Sequence, residues 1–208
     1  MIPHRTPFVL PLIYPSLTWR IEPVDKELFL TFDDGPVPGP TEFVLEKLSQ
    51  ASIPATFFCI GDNIRKHPDV FRRITAGGHT VGNHTVNHVN GWKTSVAKYH
   101  GNVTEFDTLA AEAGYQGPTH LFRPPYGRIT WKQIKMLAGY RIIMWDVLSQ
   151  DYHRHLSPEQ CLRRTIQACR PGSIIVFHDS YKAEKNMNYA LPRLIDFFSG
   201  KGYKFRGL

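Results

Sequence analysis

The sequence predicts an α/β fold built on one parallel sheet, and three observations carry that expectation. Short apolar runs alternate with amphipathic stretches along the chain, most of those runs lack polar positions, and the chemically active side chains follow the runs rather than precede them. Continuous apolarity, as in Leu-Phe-Leu-Thr-Phe at 28–32, Ala-Thr-Phe-Phe-Cys-Ile at 55–60 and Ser-Ile-Ile-Val-Phe at 173–177, is expected of strands covered on both faces. At 208 residues and 23.8 kDa the chain suits one domain, 1–208, with a single core.

Strands are expected over 28–34, 55–61, 80–84, 121–125, 142–147, 173–179 and 203–208, and helices over 41–52, 65–76, 95–113, 131–137, 158–168 and 189–199. The punctuation agrees with these spans. Ser157, Pro158 and Glu159 give an N-cap, a first-turn proline and an acid favoured by the helix dipole, while Gly77, Gly114 and Gly200 stand where helices should end. Strand–helix alternation demands right-handed crossovers between parallel strands. About seven strands suit either an open doubly wound sheet or a small incomplete barrel, and both place ligands at the C-terminal strand ends.

Composition narrows the function class. A net charge of +7 comes without a basic helix, a zinc-finger spacing or a run of Lys and Arg, so it reads as a solvated surface rather than a nucleic-acid site. Three cysteines, Cys59, Cys161 and Cys169, have neither disulfide-framework nor metal spacing, and the last two, eight apart on a predicted helix, are too far apart to bridge. Residues 1–19 carry Pro3, Pro7, Pro11 and Pro15 and make a poor signal peptide, and no segment approaches the ~20 apolar residues of a membrane span. Cytoplasmic residence is therefore expected.

Five segments hold the candidate chemistry. Thr31-Phe32-Asp33-Asp34-Gly35-Pro36 closes the first long strand, where both aspartates reach one site only if the chain leaves the sheet. His84-Thr85-Val86-Asn87-His88 spaces two histidines four apart, facing one way on a helix or helical turn, and with a carboxylate such as Asp34 they make three ligands for a catalytic metal. Arg123-Pro124-Pro125-Tyr126-Gly127 gives a stiff loop whose first backbone donor is Tyr126, suited to a developing oxyanion, with Arg123 able to hold a carboxylate ionised. Trp145-Asp146-Val147-Leu148-Ser149-Gln150-Asp151-Tyr152 and Ile175-Val176-Phe177-His178-Asp179 each put an acid or imidazole past an apolar strand, as proton transfer requires. Taken singly, each also reads as an ordinary turn, surface loop or hydrogen-bonded strand end.

Together, and in this order, the five segments resemble the motifs of the polysaccharide deacetylase family, also called carbohydrate esterase family four or the NodB homology domain. Thr-Phe-Asp-Asp-Gly-Pro, His-Thr-x-x-His and Arg-Pro-Pro-Tyr-Gly match as they stand. The resemblance implies a distorted (β/α) barrel of about seven parallel strands and a divalent metal ion, most simply Zn2+, held by Asp34, His84 and His88. It also implies Asp33 as general base oriented by Arg123, the Tyr126 N–H as oxyanion donor, and His178 as general acid supported by Asp151. The fourth motif departs from the family's Asp-Trp: Tyr152 follows Asp151, and Asp146 is a rival supporting acid.

The implied reaction is removal of N-acetyl groups from an acetylated amino-sugar oligomer or polymer, chitin-like or peptidoglycan-like. O-acetyl ester hydrolysis, as on acetylated xylan, uses the same metal-assisted attack, and a non-catalytic carbohydrate-binding protein on this scaffold would be expected to lack the base or the acid. His153 and His155 form an HxH without a third ligand. His4, His67, His79, His100 and His120 read as surface or structural, and Trp92, soon after His88, is placed to pack or to stack on a sugar ring.

Overall fold

The computed structural model describes residues 3–22, 24–117 and 120–208, so the first two residues of the proline-rich N-terminus lie outside it. Its strands are β1 (Glu27–Asp33), β2 (Thr56–Cys59), β3 (Thr80–Asn83), β4 (Leu121–Phe122), β5 (Arg141–Ile142), β6 (Val147–Leu148), β7 (Ile174–His178) and β8 (Lys204–Arg206). Every ladder between them is parallel. Seven run in the order β5-β4-β3-β2-β1-β7-β6, curled into an incomplete barrel, and β8 pairs with the start of β1. The helices are α1 (Val9–Ile13), α2 (Pro40–Ala51), α3 (Gly61–Lys66), α4 (Pro68–Ala76), α5 (Val96–Glu112), α6 (Trp131–Met136), α7 (Pro158–Ala168) and α8 (Glu184–Ser199). None of the described helices is long and apolar enough to cross a membrane.

Strand pleating divides the interior into two layers. Leu28, Leu30 and Phe32 of β1 join Ile175 and Phe177 of β7, Val44 and Leu48 of α2, and Leu191 and Leu194 of α8 in the main core under the helices. The alternate positions face the inside of the curl. At its base Phe29 packs with Ile143 and Ile174, Phe58 of β2 joins this cluster from the level of Asp33, and along the inner face follow Thr31 and then Asp33 on β1, Val176 and then His178 on β7. The inner face is thus apolar at the strand starts and polar at the strand ends, which refines the expectation of strands apolar on both sides.

Several expected elements divide where chemistry requires it. The helix expected over 65–76 is two, because Pro68 disfavours helical geometry at His67, whose φ of −132° and ψ of 55° separate α3 from α4. The strand expected over 142–147 splits into β5 and β6 because its backbone changes partners: the Ile143 N–H donates to Phe122, that of Met144 to Thr18 and that of Asp146 to Ile174. Helix α8 begins at Glu184, five residues before the expected start. Ser157 caps α7 as expected, its Oγ accepting from the Gln160 N–H at 3.2 Å while Gln160 Oε1 accepts from the Ser157 N–H.

The N-terminal segment fills the gap between the sheet's two edges. Arg5 bridges to Val147, Thr18 to Ile143 and Arg20 to Ser173, so residues 5–20 span from the β6 side to the β5 side. A groove of about 870 Å3 lies beneath this segment among Arg5, Trp19, Arg20, Arg141 and Arg170, by the strand starts and away from the polar strand ends. All three cysteines are free thiols, as expected, and burial pushes the Cys59, Cys161 and Cys169 thiols up.

Gly82 of β3 faces the inner layer, and a Cβ there would lie 2.5 Å from the buried Phe58 ring. Phe58 also stacks on the Arg123 guanidinium at 4.1 Å. Gly82→Ala is therefore expected to cost about 1–3 kcal/mol in denaturant unfolding, the usual range for overpacking a filled core. An unfolding midpoint equal to that of the unaltered chain would show that this layer is not close-packed.

Candidate active site

All five segments arrive at the C-terminal ends of the strands. Asp33 ends β1 and His178 ends β7, and the two are register partners across that pair of strands. The pleat that points Phe29 and Thr31 inward points Asp33 inward as well. Asp34 has a φ of +84°, so the chain turns out of the sheet there and its carboxylate too reaches the strand-end site.

Arg123 lies fully buried beneath Asp33. Its Nη1 donates to Asp33 Oδ1 at 2.6 Å and to Thr31 Oγ1 at 2.8 Å, Nη2 donates to the Met144 carbonyl at 3.0 Å, and Nε to the Ile143 carbonyl at 3.3 Å. Burial pulls the Arg123 pKa down, opposed by the Asp33 carboxylate. Asp33 is thus committed to a cation, while Asp34, beside it in sequence, faces imidazoles.

Asp34, His84 and His88 each present one ligand atom, and the three atoms lie within 4.8 Å of one another. Asp34 Oδ1 is 3.3 Å from His88 Nε2 and 3.8 Å from His84 Nε2. Their spacing suggested a helix or helical turn, but the histidines sit on neither. Thr85 and His88 have φ of +64° and +53°, and the loop is held open from within by Asn83 and from α5 by Asn102. Asn83 Oδ1 accepts the Thr85 N–H at 2.8 Å, and Asn102 Oδ1 accepts the N–H groups of Val86 and Asn87 at 2.9 and 3.0 Å.

The surroundings of these groups fit a divalent cation. His84 Nδ1 lies 2.8 Å from the Arg123 carbonyl, which can only accept, so Nδ1 carries the proton and Nε2 presents its lone pair. Burial, opposed by the two aspartates, lowers the His84 pKa; burial and then His84 lower that of His88 to about 4. Both rings are neutral at pH 7, as ligands must be. Asp34 is held below its usual value: burial raises it, but His178, His84, His88 and Lys182 together outweigh that.

His178 is backed by Asp151, whose Oδ1 is 2.8 Å from Nδ1 and whose Oδ2 accepts the His178 backbone N–H at 2.7 Å. Burial opposes the imidazolium, but Asp151, with Asp34 and Asp33 adding to it, pushes the His178 pKa up to about 9. The rival Asp146 is engaged elsewhere, by Arg170 at 2.8 and 3.0 Å and Ser173 Oγ at 2.6 Å. Tyr152 packs edge-on against His178, ring centroids 4.9 Å apart.

Tyr126 takes a φ of +60°, and its backbone N–H finds no acceptor among the described residues. Its hydroxyl, which the sequence did not single out, lies 3.0 Å from His88 Nδ1. A second unanticipated residue is Asp179. Buried under the Asp34 turn, its Oδ1 accepts the Gly35 N–H at 3.0 Å and its Oδ2 the Thr41 hydroxyl at 2.6 Å, and burial pushes its pKa up to about 8. With Asn63 Nδ2 donating to the Asp34 carbonyl at 2.7 Å, it fixes the turn that aims Asp34; the only signal in the sequence was an acid directly after His178. His153 and His155 face each other at 5.8 Å, outside the one metal-ligand group among the described residues. His79 is structural, its Nδ1 accepting the Ala55 N–H at 3.3 Å.

The family model for polysaccharide deacetylase matches residues 20–142. A peptidoglycan-N-acetylglucosamine deacetylase of Bacillus cereus is 32% identical over 86% of this chain, which spans 66% of that protein's length. A chitooligosaccharide deacetylase of Bradyrhizobium sp. is 35% identical over 75% of this chain and 72% of its own. Among solved structures, a peptidoglycan N-acetylglucosamine deacetylase superposes with a TM-score of 0.88 at 30% identity, covering 98% of this chain and 95% of the other.

Three protein ligands are the usual set of a catalytic metal site, so His84→Ala and His88→Ala are each expected to purify with little divalent metal by elemental analysis. The fold should persist, since these side chains lie outside the three apolar clusters. Full occupancy in either folded variant would show that the cluster is not the metal site.

Proposed function

The chain belongs to the polysaccharide deacetylase family, and from that membership we propose that it is a metal-dependent hydrolase removing N-acetyl groups from an N-acetylglucosamine-type saccharide. One observation carries the reading: a carboxylate and an imidazole, Asp33 and His178, end adjacent parallel strands in register and share their site with the Asp34, His84 and His88 cluster. Relatives named for peptidoglycan N-acetylglucosamine and for chitooligosaccharide support the substrate class.

Asp34, His84 and His88 would hold the ion, and two imidazoles with one carboxylate suit zinc. When bound, such an ion polarises an acyl oxygen and makes water more acidic. Asp33, fixed by Arg123 at 2.6 Å, takes the proton from the attacking water. The Tyr126 N–H donates to the acetyl oxygen as negative charge grows there. His178 has Nδ1 tied to Asp151, so Nε2 carries the proton that the departing nitrogen receives. An amine leaves far less readily unprotonated than an alkoxide, and a histidine charged at neutral pH therefore favours the amide over an ester. Acetate and a free amino sugar result.

Assays of acetate release on an N-acetylglucosamine oligomer and on an activated aryl acetate test the assignment. His178→Ala should slow the first by about 10²–10⁴-fold, the range for a positioned acid, and the second much less. The raised pKa means that His178 is protonated below about pH 9, so amide hydrolysis should hold below that pH and fall above it. Asp151→Asn removes the strongest influence raising that pKa and should move the alkaline limb to lower pH. Equal slowing of both substrates, or a limb that stays in place, would remove His178 from the acid's role.

A further inference from the structure

From Pro7 to Ile13 the chain carries no polar side chain, yet this stretch lies on the surface. Helix α1 buries none of its residues. Phe8, at its N-cap, is 84% exposed, Leu12 71%, Ile13 49% and Val9 44%. Positions 8, 9, 12 and 13 share one face of a helix, so the apolar stripe that ordinarily packs inward here points to solvent. Leu10 turns the other way, onto the cluster of Leu17, Trp19 and Phe122, and holds the helix to the body of the protein. A contiguous apolar face of this kind marks a contact with another body.

The groove beneath the same segment is basic. Phe8 and Pro11 line it beside Arg5, Arg20, Arg141 and Arg170, and the carboxylates in its wall are those of Glu22 and Asp146. Asp146 is taken up by Arg170 and Ser173. Arg5 donates instead to the carbonyls of Ala168 and Gln167 at 2.7 and 3.4 Å, and Arg141 to the Thr18 hydroxyl at 3.4 Å. Nε of Arg20 is buried with no hydrogen-bond partner among the described residues. Among those residues Arg5, Arg20 and Arg141 form no ion pair, so three guanidinium charges line the groove without a carboxylate partner. Planar guanidiniums with donors to spare suit phosphate oxygens.

We propose that α1 and this groove form a docking surface for a membrane bearing anionic phospholipid. Phe8, Val9, Leu12 and Ile13 enter the acyl layer, and Arg5, Arg20 and Arg141 receive the headgroup phosphates beside them. Charge and polarity together set the occupant. A bilayer presents a band of phosphates directly over hydrocarbon, which matches an apolar face adjoining a basic groove, and each arginine near an anionic surface adds attraction. The attachment is peripheral, since none of the described helices is long and apolar enough to span a bilayer. Because the groove lies by the strand starts, docking leaves the Asp34, His84 and His88 cluster at the opposite end of the strands, away from the lipid.

Flotation of the full chain with vesicles tests this. Vesicles of equal parts phosphatidylglycerol and phosphatidylcholine should carry the unaltered chain, vesicles of phosphatidylcholine alone should carry little, and about 0.5 M salt should release much of it. Phe8→Ser and Leu12→Ser should each weaken partitioning about tenfold, and Arg20→Gln and Arg141→Gln about fivefold each, with unfolding midpoints unchanged. No flotation with the anionic vesicles, equal flotation with neutral ones, or full flotation of all four variants would overturn the proposal. So would either rival occupant. A concentration-dependent dimer in sedimentation that Phe8→Ser dissolves would put a second copy on this face, and binding of glycerol phosphate in calorimetry without vesicle binding would reduce the groove to a site for a soluble anion.

Discussion

The site depends on one buried guanidinium. Arg123 is wholly removed from water, and a charge in that position is tolerable only because its donors are taken up by Asp33, Thr31 and the carbonyls of Ile143 and Met144 while Phe58 lies against its face. Removing one partner of such a pair typically costs about 3–5 kcal/mol, because the other charge is left uncompensated. The same residue's carbonyl fixes the His84 tautomer. A single strand-end arginine therefore sets the geometry of the proposed base and the lone pair of a proposed metal ligand, and it draws the inner faces of β1 and β2 to the loop after β4.

Around that constraint the fold distributes four charged or ionisable roles over a few residues. Asp33 stays on the pleat and pairs with Arg123, whereas Asp34 leaves it through a left-handed backbone held by Asp179 and Asn63. The histidines separate in the same way. His84 and His88 are kept neutral by burial, while His178, itself largely buried, is raised by Asp151. Neighbouring groups with opposed pKa shifts are what a site needs to bind a cation and donate a proton at one pH.

Much of this was legible in the sequence because strand ends have a pattern. Apolar runs ending in Asp33, His84, Arg123 and His178 located the site, and parallel α/β alternation gave the layers. What escaped was set by tertiary partners. Apart from Asn83, nothing local to His84–His88 announces a loop rather than a helical turn, since the other deciding contacts come from Asn102 on α5, which begins eight residues after His88. The split of 142–147 follows from Thr18, more than a hundred residues away, and Asp179 reads as a strand-end acid until Gly35 and Thr41 are seen against it. In sequence Asp151 is the better-matched supporting acid and Asp146 its rival; Arg170 and Ser173 engage the second, and only the first reaches His178.

In the proposed reaction the two adjacent aspartates have different work: Asp33, pinned to Arg123, moves a proton, and Asp34 binds the cation. Metal content and acetate release measured side by side on folded Asp33→Asn and Asp34→Asn test it most directly. Asp33→Asn should keep metal close to that of the unaltered chain and lose about two to four powers of ten in turnover, and Asp34→Asn should lose the metal itself. Metal lost from Asp33→Asn, or retained in full by Asp34→Asn, would contradict the division.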